Sequence, residues 1–247
     1  MKRAAVSAIL IVLFLPAGFG RAASPAFELE RIGPFGGDVR SLLVDARNPD
    51  VVYLGTPDGK IYKSTSGGAS WRLLHPGIAR RNFVVDTLVS HPAEPEHIYA
   101  GAWDLRSTGG GLFESRDGGA TWTELRLAAR APAVRDLAIS RSNPACMIAA
   151  ALDGVYVTSD GGSQWRKVGA ESPGLREVES VAIDPGDPRI LYAGTWRLVY
   201  RSRDFGATWA RVSQGMFFDS DIFSLSIDPR NPEVVFASAC SGVRAGL

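Results

Sequence analysis

Four short segments of the chain repeat one pattern: Ser64-Thr-Ser-Gly-Gly-Ala-Ser-Trp71, Ser115-Arg-Asp-Gly-Gly-Ala-Thr-Trp122, Thr158-Ser-Asp-Gly-Gly-Ser-Gln-Trp165 and Ser202-Arg-Asp-Phe-Gly-Ala-Thr-Trp209. The four tryptophans are 51, 43 and 44 residues apart. A period of this length marks a supersecondary unit that recurs and buries its apolar faces against copies of itself. A second motif runs in phase with the first: Asn48-Pro49, Glu94-Pro95, Asn143-Pro144, Asp187-Pro188 and Asn231-Pro232, with prolines 46, 49, 44 and 44 residues apart. Each is followed by a β-rich run, at Val51–Thr56, His97–Ala102, Ile190–Thr195 and Val234–Ala239, with Cys146–Ala151 a weaker copy. Five units result, the fifth incomplete.

Each unit reads as four strands. The first carries two apolar residues at period two, Leu42/Val44, Leu137/Ile139, Val181/Ile183 and Leu225/Ile227, before the Asn-Pro turn. The second is the Tyr-Ala-Gly-Thr run, the third is Gly-Val-Tyr-like, and the fourth begins at the tryptophan. Consecutive short strands with Gly and Pro turns at this period predict propeller blades, hence an all-β chain of about five four-stranded repeats, roughly 35–80, 81–130, 131–174, 175–218 and 219–247. In the Ser-x-Asp-x-Gly-x-x-Trp turn the Asp accepts backbone N–H groups and Gly supplies the reversal. Trp then covers the gap between sheets. These positions (Ser64, Gly68 and Trp71; Ser115, Asp117, Gly119 and Trp122; Thr158, Asp160, Gly162 and Trp165; Ser202, Asp204, Gly206 and Trp209) are expected to be structural. One carboxylate per turn is too few for calcium.

At these residues the chain resembles the Asp-box (BNR-repeat) propellers, found in sialidases, the sortilin ectodomain, xyloglucanase-type glycoside hydrolases and the photosystem II assembly factor family. The resemblance spans roughly residues 35–243 and implies the fold rather than an activity. The first box departs from it with Ser66 in the Asp position, the fourth with Phe205 in a Gly or variable position. The first turn is therefore expected to be the least well held. The family's rings normally have six or more blades, so the five units read as part of a larger propeller. A five-blade ring closed by Phe27–Ile32 is the alternative.

Lys2-Arg3, the apolar run Ala4–Leu15 and small residues at Ala22-Ala23-Ser24 have the layout of a secretory signal peptide over residues 1–23, leaving a propeller over residues 24–247. The protein is expected to be exported, to the periplasm or beyond, with no membrane span after cleavage. Its 27 basic and 26 acidic residues become slightly acidic in balance once Lys2, Arg3 and Arg21 are removed. Nucleic acid is therefore not an expected partner. Two blades separate Cys146 from Cys240, so both are expected to be free thiols.

No nucleophile elbow, phosphate loop or Cys-x-x-Cys is present. His75, His91 and His97 lie near Pro-containing turns without ligand spacing, and surface or turn roles are expected of them, with neither metal nor cofactor. The resemblance implies ligand binding on the side of the strand two to three loops. That side carries Trp103 and Trp196, with Asp104, Arg106 and Arg197 beside them, and the blade connections add Phe217, Asp219 and Asp221. Exposed Trp among charges suits a sugar ring or a protein hot spot. The expectation is a non-catalytic scaffold for a protein or glycan. The alternative is a glycoside hydrolase, which needs two acids on that face, Asp104 with Asp219 or Asp221.

Overall fold

Apolar runs of four to eight residues, broken by Gly and Pro, are too short for helices and suit hairpins. The computed structural model describes residues 33–34, 38–74, 78, 82–172, 174–216 and 220–240. Its strands form antiparallel sheets in sequence order, and there is no helix among the described residues. Blade one holds β1 (Ser41–Val44), β2 (Val52–Gly55), β3 (Ile61–Ser64) and β4 (Arg72–Leu74). Blade two holds β5 (Phe83–Ser90), β6 (Ile98–Asp104), β7 (Gly110–Ser115) and β8 (Thr123–Leu125). Blade three holds β9 (Val134–Ile139), β10 (Met147–Ala151), β11 (Gly154–Thr158) and β12 (Arg166–Val168). Blade four holds β13 (Val178–Ile183), β14 (Leu191–Thr195), β15 (Val199–Ser202) and β16 (Ala210–Arg211). The fifth sheet is described as the pair β17 (Asp221–Ile227) and β18 (Val235–Cys240). The architecture is a β-propeller. Residues 1–23 and 27–32 lie outside the described residues, as do His75, Phe217 and Asp219.

The core lies between blades. Tyr53, Ile61 and Leu74 of blade one pack on Phe83, Val85 and Ile98 of blade two, and three further apolar clusters fill the later interfaces. The first-strand pairs face the preceding blade: Leu137 and Ile139 belong to the second interface, Val181 and Ile183 to the third, Leu225 and Ile227 to the fourth. For β1 the pair's exposure is large, 62% at Leu42 and 48% at Val44, and Phe236 on β18 is 63% exposed.

A glycine in the second strand permits this close approach. A Cβ on Gly55 would stand 2.6 Å from the Val85 side chain, one on Gly101 2.8 Å from Val134, and one on Gly194 2.6 Å from Ile222. All are distances that side chains do not tolerate. Hydroxyls join the inner strands as well: Ser41 donates to the Val85 carbonyl at 2.8 Å, and Ser180 to the Ile222 carbonyl at 3.0 Å.

The Ser/Thr-x-Asp turns are built as the sequence implies. Buried Ser115 accepts the Gly119 N–H at 2.8 Å and donates to Asp117 at 2.7 Å, while Asp117 accepts the Thr121 N–H at 2.9 Å. Thr158 with Asp160 and Ser202 with Asp204 repeat the arrangement. Hydrogen bonds from Thr121 and Thr208 hold the carboxyls of Asp117 and Asp204 down at about 2. The indoles of Trp122, Trp165 and Trp209 donate to the carbonyls of Gly119, Gly162 and Gly206, and each ring packs into the interface with the preceding blade.

Ser66 keeps the first turn by accepting the Ser70 N–H at 3.0 Å, close to the Asp117 bond. The weak link there is hydroxyl to hydroxyl, with Ser64 and Ser66 3.4 Å apart. Phe205 takes the left-handed conformation, φ 56°, that Gly67, Gly118 and Gly161 adopt in the other three turns. Backbone bonds from these positions to the Asn-Pro turns, such as Gly118 to Glu96 and Phe205 to Arg189, put both turn types on one side of the propeller. Both cysteines are free, Cys146 buried and Cys240 exposed.

Candidate functional site

On the opposite side, the first strands of blades two to five begin with a bulge. Register shifts fall between Val85 and Thr87, Val178 and Ser180, and Ile222 and Ser224, and blade three shifts where β9 meets Ala150 and Ala151. A bulge carries one residue outside the strand's alternation and re-aims its side chain. The residues so placed are Asp86, Arg135 and Glu179, with Phe223 following in blade five.

Three of them form a charged chain across three blades. Arg135 Nη1 lies 2.8 Å from Asp86 Oδ2, and Arg135 Nε donates to Glu179 Oε2 at 2.7 Å. The indole of Trp103 donates to Asp86 at 3.1 Å, and that of Trp196 donates to Glu179 at 2.6 Å. The guanidinium also stands 4.8 Å over the Trp103 ring, a cation–π contact. These side chains are well covered, with exposures of 17% for Asp86, 18% for Arg135 and 6% for Glu179. Burial raises the Asp86 pKa above the usual carboxylate value, against the opposing pull of Arg135.

Beneath this chain, Asp136 ties three blades together. It accepts the Val181 N–H at 3.0 Å, the Leu137 N–H at 2.8 Å and the Thr87 hydroxyl at 3.2 Å. Burial nonetheless pushes its carboxyl up to about 6.

Beside Trp196, a cleft of about 640 Å³ opens between blades three and four, lined by Leu152, Asp153, Lys167, Arg176, Glu177 and Arg197. Lys167 pairs with Asp153 at 2.7 Å. Glu177 has φ 54°, the left-handed region that a residue with a Cβ seldom enters. Its N–H donates to the Leu152 carbonyl and its carbonyl accepts the Trp196 N–H, so the strained residue stitches the two blades at the cleft.

The expected site is partly rearranged. Trp103 and Trp196 are half-buried, not freely exposed, because buried acids capture their indole nitrogens. Asp104 closes its own turn, accepting the Arg106 N–H at 2.9 Å and the Ser107 hydroxyl at 3.0 Å, and Arg106 is exposed. Arg197 reaches the cleft, and half-buried Asp221 opens β17. Sequence reading missed Asp86, Arg135 and Glu179. The signal was available: aligning the units on their first strands stacks Val85-Asp-Thr87, Val134-Arg-Asp136 and Val178-Glu-Ser180. His97 has the expected turn role, its N–H donating to the Glu94 carbonyl, but its side chain is buried, 4% exposed.

Solved propellers share this fold. An ancestral GH74 enzyme superposes with a TM-score of 0.68 at 22% identity, covering 81% of this chain and 29% of the other. The GH74 xyloglucanase from Xanthomonas campestris gives 0.62 at 18%, covering 81% and 35%. The outer coat vertex of COPII on membranes gives 0.61 at 11%, covering 82% and 56%. The chain thus spans about a third of the length of the GH74 enzymes it matches. No family model and no curated protein matches it. At these identities the likeness is one of fold.

Proposed function

We propose that this protein is an exported, non-catalytic propeller of the Asp-box kind that binds a protein or glycan on the side carrying Trp103 and Trp196. Export rests on the N-terminal pattern, and the Asp-box reading rests on the repeated Ser/Thr-Asp-Gly hydrogen bonds. The observation that carries the binding reading is the anchoring of Asp86 and Glu179 between Arg135 and the two indoles. Each accepts from the Arg135 guanidinium and from an indole, which builds a stiff platform that presents the two tryptophans. The adjoining cleft, with Lys167, Arg176 and Arg197 against Asp153 and Glu177, supplies polar groups for a hydroxylated or charged ligand.

The glycoside hydrolase reading draws on the fold shared with GH74 enzymes. Against it, Asp104 is consumed by its own turn. Incubating the purified protein with xyloglucan and with aryl glycosides decides between them. Scaffold function predicts no reducing-end release and unchanged aglycone absorbance. Turnover that disappears in Glu179→Gln overturns the reading.

A further inference from the structure

All five turns between first and second strands share one backbone plan. Asp45, His91, Ser140, Asp184 and Asp228 donate their N–H to the carbonyls of Val51, His97, Cys146, Ile190 and Val234. In four of them the opening residue is Asp or Ser, whose side chain caps N–H groups of the turn, and the closing residue is Val, Cys, Ile or Val. Blade two alone uses His at both positions. The turn therefore needs no imidazole, least of all at His97, whose counterparts include three β-branched apolar side chains.

His97 is also incompletely satisfied. Its Nε2 lies 3.1 Å from Glu114 Oε2, an oxygen that also accepts from Arg116 at 3.2 Å. With the proton on Nε2, the other nitrogen, Nδ1, presents a bare lone pair. That atom is buried without a hydrogen-bond partner and faces Glu94 Oε2 at 3.5 Å. Two acceptors aimed at one another call for a cation between them. The His91 ring stacks on His97, with centroids 5.3 Å apart, and its Nδ1 takes the Ala93 N–H, which leaves Nε2 as a further ligand atom. One ligand atom from each of His91, Glu94 and His97 lies within 4.8 Å of the others.

We propose that His91, Glu94 and His97 form a binding site for a divalent transition-metal ion of the zinc class. Two imidazoles and a carboxylate are the donor set such ions favour, and Glu114 behind His97 orients the ring as ligating histidines require. In a tetrahedral site with metal–ligand distances of about 2.1 Å, donors stand about 3.4 Å apart. Half-buried His91 and exposed Glu94 close that gap by rotating toward the fixed His97. Three protein ligands leave one position for water. The site lies on the Ser/Thr-x-Asp side, away from the cleft, so it is independent of the binding reading above.

Calorimetric titration of the chelator-stripped protein with Zn²⁺ tests this. We expect one ion per chain, at least tenfold weaker binding in His91→Ala and in Glu94→Gln, and a Zn²⁺-dependent rise in melting temperature. His97→Val, which installs the residue of the sister turns, should fold and lose both the binding and the rise. No saturable binding, or binding that these three variants leave unchanged, overturns the proposal. The first result shows that these three side chains hold no ion of this class, the second that the ion is adventitious and sits elsewhere.

Discussion

Arg135 of blade three reaches Glu179 of blade four, with Nε and Oε2 2.7 Å apart, while its Nη1 holds Asp86 of blade two. One guanidinium thus neutralises acids from both neighbouring blades at a place where the first strands bulge. Planar, with donors on two edges, it serves both at once; a lysine ammonium on a flexible stem would have to choose.

Replacing Arg135 by Met keeps the stem's volume and strands two covered carboxylates. Breaking a buried pair from one side costs about 3–5 kcal/mol, and the urea midpoint should fall accordingly. Adding Glu179→Gln and Asp86→Asn to that variant should recover part of the loss. A single variant as stable as wild type would show that the chain of charges contributes no net stability.

Gly194→Ala and Gly101→Ala should each destabilise by about 1–3 kcal/mol, since the added methyl meets Ile222 or Val134 of the next blade. Gly161→Ala is the control: its Cβ meets nothing within 4 Å, and only its positive φ penalises it. Thermal melts that rank the control worst would contradict the close-approach account.

Ser115→Ala should cost about 1–3 kcal/mol, because the buried Gly119 N–H loses its acceptor. Asp117→Ala should cost less, since water can replace an exposed carboxylate. Equal losses in chemical denaturation would mean that the exposed Asp holds the turn as firmly as the buried Ser.

Phe205→Gly relieves a left-handed strain of roughly 1–2 kcal/mol but removes a ring packed on the interface between blades three and four. The two effects should nearly cancel. Phe205→Val keeps the strain and loses most of the packing, so its melting temperature should be clearly the lower of the two.

Asp136 gives the stability a pH dependence of definite sign. Its folded pKa of about 6 exceeds the ordinary 3.8, so the folded state binds the proton more tightly between these values. Stability is greatest below the ordinary value and is lost as pH rises through about 6, by roughly 3 kcal/mol for this group. Asp117, Asp187 and Asp204, held at about 2, act oppositely, and their contribution disappears as pH falls from about 4 toward 2. Melting temperatures should thus peak in the acidic range and fall toward neutrality. Asp136→Asn should flatten that fall, though it turns an amide donor or a weaker acceptor toward the Val181 N–H. An Asn variant with the wild-type slope would assign the effect to another group.

The propeller was legible because its determinants are local. The box turns, the Asn-Pro turns and the tryptophans act within about ten residues of chain, and their period announces the stacking of blades. The in-register glycine of the Tyr-Ala-Gly-Thr run took its spatial meaning only from the structure, because its partners Val85, Val134 and Ile222 lie in the following blade. The charged chain was not legible in the same way. Asp86, Arg135 and Glu179 are separated by 49 and 44 residues, and each stands on a bulge that breaks the two-residue alternation by which strand faces are read. Likewise His91 and His97 look like unrelated turn residues until the backbone folds six positions into a closed loop and stacks their rings. Sequence by itself determined which segments become strands and turns, since hydrogen bonding to near neighbours decides that. Which side chains share a site was left to the tertiary structure, because the angle and register at which one blade packs on the next bring together groups with no local reason to meet.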